Sequence, residues 1–132
     1  MSEQALAGIR VIEFGNLVSA PYCTKLMADL GAEVIKIEEP GRGDEARQRG
    51  PFPGNDPHPE KSGLFLYLNT NKLGITLNPS KLEGKKIFKA LIQNVDVLVE
   101  DKSPGEMEKM GLGYDALKKI NPGLIMASIT PF

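Results

Sequence analysis

The side chains able to do chemistry cluster in a few places. Arg42, Arg47, Arg49 and Lys61 lie on or beside one polar stretch and Lys72 follows it, so several cations can converge on an anionic ligand, or simply solvate a loop. Gly15-Asn16-Leu17-Val18-Ser19-Ala20 leads into an expected helix N-terminus, where free backbone N–H groups and the helix dipole suit a phosphate. Only Gly15 precedes that helix, so the Gly-x-Gly-x-x-Gly of a dinucleotide site is missing, although Glu38 stands where a ribose-binding acid would fall. The one histidine, His58, sits in Asp56-Pro57-His58-Pro59 without metal-ligand spacing and reads as surface. Cys23, just inside the first helix, reads as a small core residue rather than a reactive thiol, and Asp29 as capping or exposed near the helix end. No Ser-His-Asp set, paired general acid and base, or metal cluster can be assembled, so no catalytic residue is assigned.

The elements that must position these groups alternate. Ile9–Phe14 is short and β-branched and closes on Gly15, as a buried strand does. Pro21–Leu30 reads as a helix, with Pro21 at its first position, Ser19 as a cap and Leu26, Met27 and Leu30 at helical spacing. Glu33–Ile37 follows as a second strand, completing a β-α-β unit with a parallel pair. From Glu38 to Lys61 the chain is polar and rich in proline and glycine, the composition of a functional or a disordered loop. Gly63–Asn69 reads as a short helix and Gly74–Leu77 as strand three. From Ser80, Leu82, Ile87, Leu91 and Ile92 alternate with lysines as an amphipathic helix. Val95–Glu100 is strand four, Pro104–Met110 and Tyr114–Ile120 are short helices, and Leu124–Ile129 is a strand of interior character. The expected fold is α/β: an open, mostly parallel, doubly wound, Rossmann-like sheet, with ligands outside the carboxyl ends of its strands.

Composition bounds the rest. A chain of 132 residues fits one domain spanning 1–132. Sixteen basic against seventeen acidic residues leave a formal charge of −1, which offers no general attraction to nucleic acid or anionic membrane. The single cysteine forms no internal disulfide, the opening residues do not resemble a signal peptide, and no apolar run approaches the roughly 20 residues of a membrane helix. A cytoplasmic protein without a metal is the expectation.

Longer blocks of sequence say more. Leu6–Glu13, then Ala20-Pro21-Tyr22-Cys23-Thr24-Lys25-Leu26-Met27-Ala28-Asp29-Leu30-Gly31-Ala32-Glu33-Val34-Ile35-Lys36-Ile37-Glu38, closely resemble the opening of the family III CoA-transferases, the CaiB/BaiF group. Pro40-Gly41, Gly43-Asp44 with Arg47, Asn69, Asn71-Lys72, Glu83-Gly84, Asp96–Glu100, Pro104-Gly105 and Met110-Gly111-Leu112-Gly113-Tyr114 continue the resemblance in order. It spans nearly the whole chain.

The resemblance implies enzymes that move coenzyme A between carboxylic acids through an aspartyl intermediate, and related CoA-ester racemases on the same scaffold. It implies CoA thioester and carboxylic acid substrates and interlocked homodimers. It also implies that the nucleophilic aspartate lies downstream of the segment present, so the chain reads as the N-terminal, CoA-binding part of a longer, two-domain protein and as inactive alone. By position, the resemblance puts Asn16, Leu17 and Val18 at the acyl end of the CoA site, Leu77, Asn78 and Ser80 around the adenine, and Lys72 in the family's lysine block. Asp101 and Lys102 replace a common asparagine and aromatic residue, and Lys109 a frequent arginine; Arg42 can substitute for a basic residue where this chain has Glu39. A non-catalytic nucleotide-binding or assembly module is the alternative from another class.

Overall fold

A computed structural model of the chain describes residues 4–130. Five strands, β1 (Arg10–Phe14), β2 (Glu33–Glu38), β3 (Lys72–Thr76), β4 (Val97–Glu100) and β5 (Ile125–Ser128), form one sheet in the order β3-β2-β1-β4-β5. Every pairing is parallel, as in the expected α/β sheet. The chain runs from β1 outward to β3, then crosses back to place β4 on the other side of β1. The order therefore reverses between β1 and β4, which opens a crevice at their carboxyl ends.

Alternation along the strands sends side chains to two cores. Ile12, Ile37 and Leu98 pack beneath the helices α3 (Leu82–Ile92) and α5 (Tyr114–Ile120), where Phe88, Ile92 and Leu117 are buried. Val11, Val34 and Val99 point the other way, against Ala20 and Ala28 of α1 (Ser19–Asp29). Period-two alternation with both faces covered is what a parallel sheet requires.

The expected boundaries shift where local chemistry competes. Helix α1 begins at Ser19, so Pro21 is its third residue, still among the first N–H groups that lack an intrahelical acceptor. Ser19 does not cap it; Val18 holds that place without a side-chain hydrogen bond. Strand β3 starts at Lys72, two residues early, because Asn71 adopts φ +63° and turns the chain directly into pairing with Val34. Among the described residues strand β5 lies at one edge of the sheet and β3 at the other, and Ile125 is exposed. The polar stretch after β2 is ordered by two short 3-10 turns, Glu45–Gln48 and Pro53–Asn55. Ser62 closes it, its hydroxyl against the carbonyls of Ala46 and Arg49 while accepting from the Phe65 amide as the cap of α2 (Gly63–Leu68). The short helix α4 (Glu106–Lys109) follows β4.

Candidate functional site

A cleft of about 240 Å³ opens where the strand order reverses. Phe14 lines it from the end of β1 and Asn16 from the loop after it, Ile37 and Glu38 from β2, Leu77, Asn78 and Ser80 from the turn after β3, Lys102 from the loop after β4, and Glu106 and Met110 from α4 and its end. Its floor is apolar: Leu77 is buried, and Phe14 packs edge-on to Phe88 at 5.5 Å. The Lys102 ammonium lies 4.2 Å from the Phe14 ring centroid, a cation–π contact that holds a positive charge over the floor.

Behind the cleft, on the α1 face, four ionised side chains meet out of water. Lys36 lies 2.6 Å from Glu13 Oε1 and 2.6 Å from Asp44 Oδ2. Oδ2 is off the line of a good hydrogen bond, so the second contact is chiefly ionic. Lys72 lies 2.7 Å from Glu13 Oε2, which also accepts from the Thr24 hydroxyl at 2.6 Å. Two carboxylates and two ammonium groups balance, which is how buried charge becomes tolerable. Burial pulls Lys36 down, but Glu13 and Asp44 outweigh it and hold its pKa above the ordinary lysine value. For Lys72 burial prevails, and its pKa falls below that value despite Glu13.

The loop between β1 and α1 is stitched from both sides. The Asn16 amide donates to Asp101 Oδ2 at 2.8 Å, the Leu17 amide to Asp44 Oδ1 at 3.0 Å, and the Glu45 amide to Asn16 Oδ1 at 2.8 Å. Burial raises the Asp101 pKa, which the Asn16 amide and Lys102 offset only in part. A Cβ on Gly15 would lie 2.3 Å from that of Ala20, so only glycine lets the chain pass from β1 into this loop.

Of the residues singled out by sequence, Asn16, Leu77, Asn78, Ser80 and Lys102 meet in the cleft. Leu17 and Val18 sit beside it in the same loop, Leu17 with φ +64°. Asp101 supports the loop from below. Lys72 is turned inward, donating to Pro21 O and Asn69 Oδ1 as well as to Glu13, and its side chain is only 2% exposed. Arg42 and Lys109 are exposed away from the lining, Arg42 3.4 Å from Glu45.

The cations of the polar stretch do not converge on the cleft. Arg47 instead grips Glu38, donating from Nε at 2.7 Å and Nη2 at 2.8 Å, and stacks on Phe65 at 3.7 Å. Burial would raise the Glu38 carboxyl, but Arg47 and the Asp44 amide hold it below the ordinary range. His58 is exposed, its Nδ1 accepting from the Glu60 amide. Cys23 is half-buried, its thiol pushed up by burial and by Glu13. Asp29 pairs with Lys25 at 2.5 Å and accepts from Asn71 at 2.8 Å. Among the described residues, no group of three or more His, Cys, Asp or Glu could hold a metal, and no helix is long and apolar enough to cross a membrane.

The profile of CoA-transferase family III matches residues 6–132. The chain belongs to this family. It is 44% identical over 130 residues to the formyl-CoA:oxalate CoA-transferase of Afipia carboxidovorans, covering 98% of this chain and 30% of that protein. It is 40% identical over 137 residues to an acyl-CoA transferase of Fusarium pseudograminearum, covering 99% of this chain and 30% of that one. Among solved structures, a CAIB/BAIF family protein from Brucella suis superposes with a TM-score of 0.88 at 34% identity, covering 99% of this chain and 34% of that chain. Rv3272 from M. tuberculosis superposes with a TM-score of 0.86 at 39% identity over 98% of this chain and 35% of that one. This family III chain thus spans about 30% of the length of the curated relatives it matches.

Proposed function

We propose that this chain is the CoA-holding, N-terminal part of an acyl-CoA:carboxylate CoA-transferase. The position of the cleft carries the reading: in a chain of this family, the lined crevice lies at the carboxyl ends of parallel strands, at the reversal of strand order. The adenine lies against Leu77, with Asn78 and Ser80 offering polar contacts at its edge. Lys102 meets phosphate charge, and the loop at Asn16, Leu17 and Val18 faces the pantetheine. Lys72 and Asp101 act from behind, and Arg42 and Lys109 contribute only long-range charge. With Arg47 neutralising Glu38 and Lys36 neutralising Asp44, two of the acids lining the cleft repel an anion less than their formal charges suggest.

In this reading the nucleophile is an aspartate supplied by protein beyond the present segment, within an interlocked pair of subunits. Its carboxylate attacks the acyl-CoA carbonyl and expels the CoA thiolate, leaving a mixed anhydride that the thiolate then opens to an aspartyl thioester as the first acid departs. An incoming carboxylate repeats the exchange in reverse. The residues of this chain hold CoA in place between the two halves. Both substrates are therefore carboxylic acids or their CoA thioesters, handled in the cytoplasm.

Calorimetry and thermal unfolding of the full-length protein with CoA test the reading. Ligand at a hundred times Kd should stabilise the fold by about 2.7 kcal/mol. An unchanged transition and no heat at millimolar CoA would sink it.

A further inference from the structure

Leu17 is a branched, non-glycine residue held at φ +64°, a conformation unfavourable for an L residue. It lies in the loop next to Asn16, which lines the cleft. What offsets that cost is visible in the hydrogen bonds. Asp44 Oδ1 accepts from Leu17 N at 3.0 Å and from Ala46 N at 2.7 Å, so one oxygen joins the β1–α1 loop to the 3-10 turn after β2. The other oxygen of the same carboxylate sits 2.6 Å from Lys36, which is itself fixed to Glu13 in the sheet. The Asp44 side chain is 1% exposed, so water cannot take over either contact. Asn16 reinforces the junction by accepting from Glu45 N at 2.8 Å.

We propose that Asp44 is a positioning residue for the cleft, a latch that ties the backbone of Leu17 to the sheet through Lys36 and so holds the Asn16–Leu17 wall in the shape that receives its ligand. The ligand part of this inference rests on the CoA reading above; the latch itself does not. Asp44 touches no reacting atom. It acts by keeping the wall from relaxing to an ordinary backbone conformation when the cleft is empty, so the ligand does not have to order it.

Two double variants of the full-length protein separate the latch from the charge balance. Lys36→Met with Asp44→Asn and Lys36→Met with Asp44→Ala both leave Glu13 paired with Lys72, so the cluster stays neutral. Only the asparagine keeps an oxygen for Leu17 N and Ala46 N. Calorimetry with CoA should find the alanine pair at least tenfold weaker than the asparagine pair, and hydrogen exchange should show the Leu17 amide released in the alanine pair alone. Equal affinity of the two, or equal Leu17 exchange, overturns the inference. Exchange in the unaltered protein decides it even where the variants fail to fold: Leu17 and Ala46 amides must exchange far more slowly than the same amides in an unstructured peptide of this sequence, and exchange at unstructured-peptide rates refutes the latch. If the unaltered protein ignores CoA while Leu17 is protected, the CoA reading fails and the latch stands. If it binds CoA while Leu17 exchanges freely, the reverse holds.

Discussion

Glu13 and Lys36 stand opposite one another in register on adjacent parallel strands, and their side chains meet at 2.6 Å with neither more than 2% exposed. Glu13 also takes Lys72 and the Thr24 hydroxyl, so one carboxylate links β1, β2, β3 and α1. A sheet face that would otherwise be apolar is thereby given a fixed charge pattern directly behind the cleft.

Removing Glu13, which pairs both lysines, should be costlier than removing Lys72, which pairs Glu13 alone. Glu13→Ala leaves two buried ammonium groups with Asp44 as their only carboxylate, and breaking a buried pair typically costs about 3–5 kcal/mol. Urea unfolding should show a large fall in the midpoint at unchanged m-value, with Lys72→Met losing clearly less. A Glu13→Ala midpoint within experimental scatter of the parent would refute the shared-carboxylate picture.

Gly84 should reverse the usual rule for helices. Glycine to alanine in a helix ordinarily gains about 1 kcal/mol, but a Cβ at Gly84 would stand 1.9 Å from the Asn78 carbonyl oxygen. Gly84→Ala must push the 78–80 turn outward, for about 1–3 kcal/mol of lost stability. Because Asn78 and Ser80 line the cleft, CoA affinity should fall with it. A more stable Gly84→Ala protein would contradict this close approach.

Acid should weaken the fold partly through Glu38. Its carboxyl is held below the ordinary value in the folded state, by Arg47 and the Asp44 amide against the opposing effect of burial. The stabilisation is therefore present above the unfolded value of about 4.3 and is lost as pH falls through the lower folded value. Glu38→Gln should unfold earlier than the parent at neutral pH, with the gap closing below about pH 4. Parallel midpoint curves between neutral and acid pH would exclude this coupling.

Lys102 should carry much of the cleft's attraction for phosphate. Lys102→Ala should weaken CoA binding about tenfold, the scale of one charge-assisted hydrogen bond, and flatten its salt dependence. Lys102→Arg, which can still stack on Phe14, should keep most of the affinity. Calorimetry at low and high salt checks this, and an unaltered salt slope in Lys102→Ala would rule it out.

The sheet was legible because its strands are compact β-branched runs, and the Ile9–Phe14 and Glu33–Ile37 segments needed only short corrections at their ends. Asn16, Leu77, Asn78, Ser80 and Lys102, reached through the family resemblance, line the cleft beyond the strand ends. Lys72 shows the limit: its number along the chain says nothing of which face of β3 it leaves from, and the face is set by pairing that begins at Val34↔Lys72. The buried cluster has a signature in the sequence. Glu13 and Lys36 are opposite charges inside two apolar strands of one β-α-β unit, and parallel neighbours can bring such residues side by side. Asp44 had no comparable signal, since its role depends on a loop whose path is set by tertiary contacts.

The segment between β2 and α2 has an inner, anchored part and an outer, exposed part that meet at Arg47. Arg47 and Asp44 rivet its first part to Glu38 and Leu17, while residues 53–60 lie exposed on the outside, tied back by Arg47 to Pro59 O and Glu60 and by the 3.8 Å pair of Asp56 with Lys61. Length and composition can therefore drift along the outer bulge, or accept a grafted label, without disturbing the inner wall. Diversification at this edge of the molecule reaches the geometry of the crevice only through Arg47.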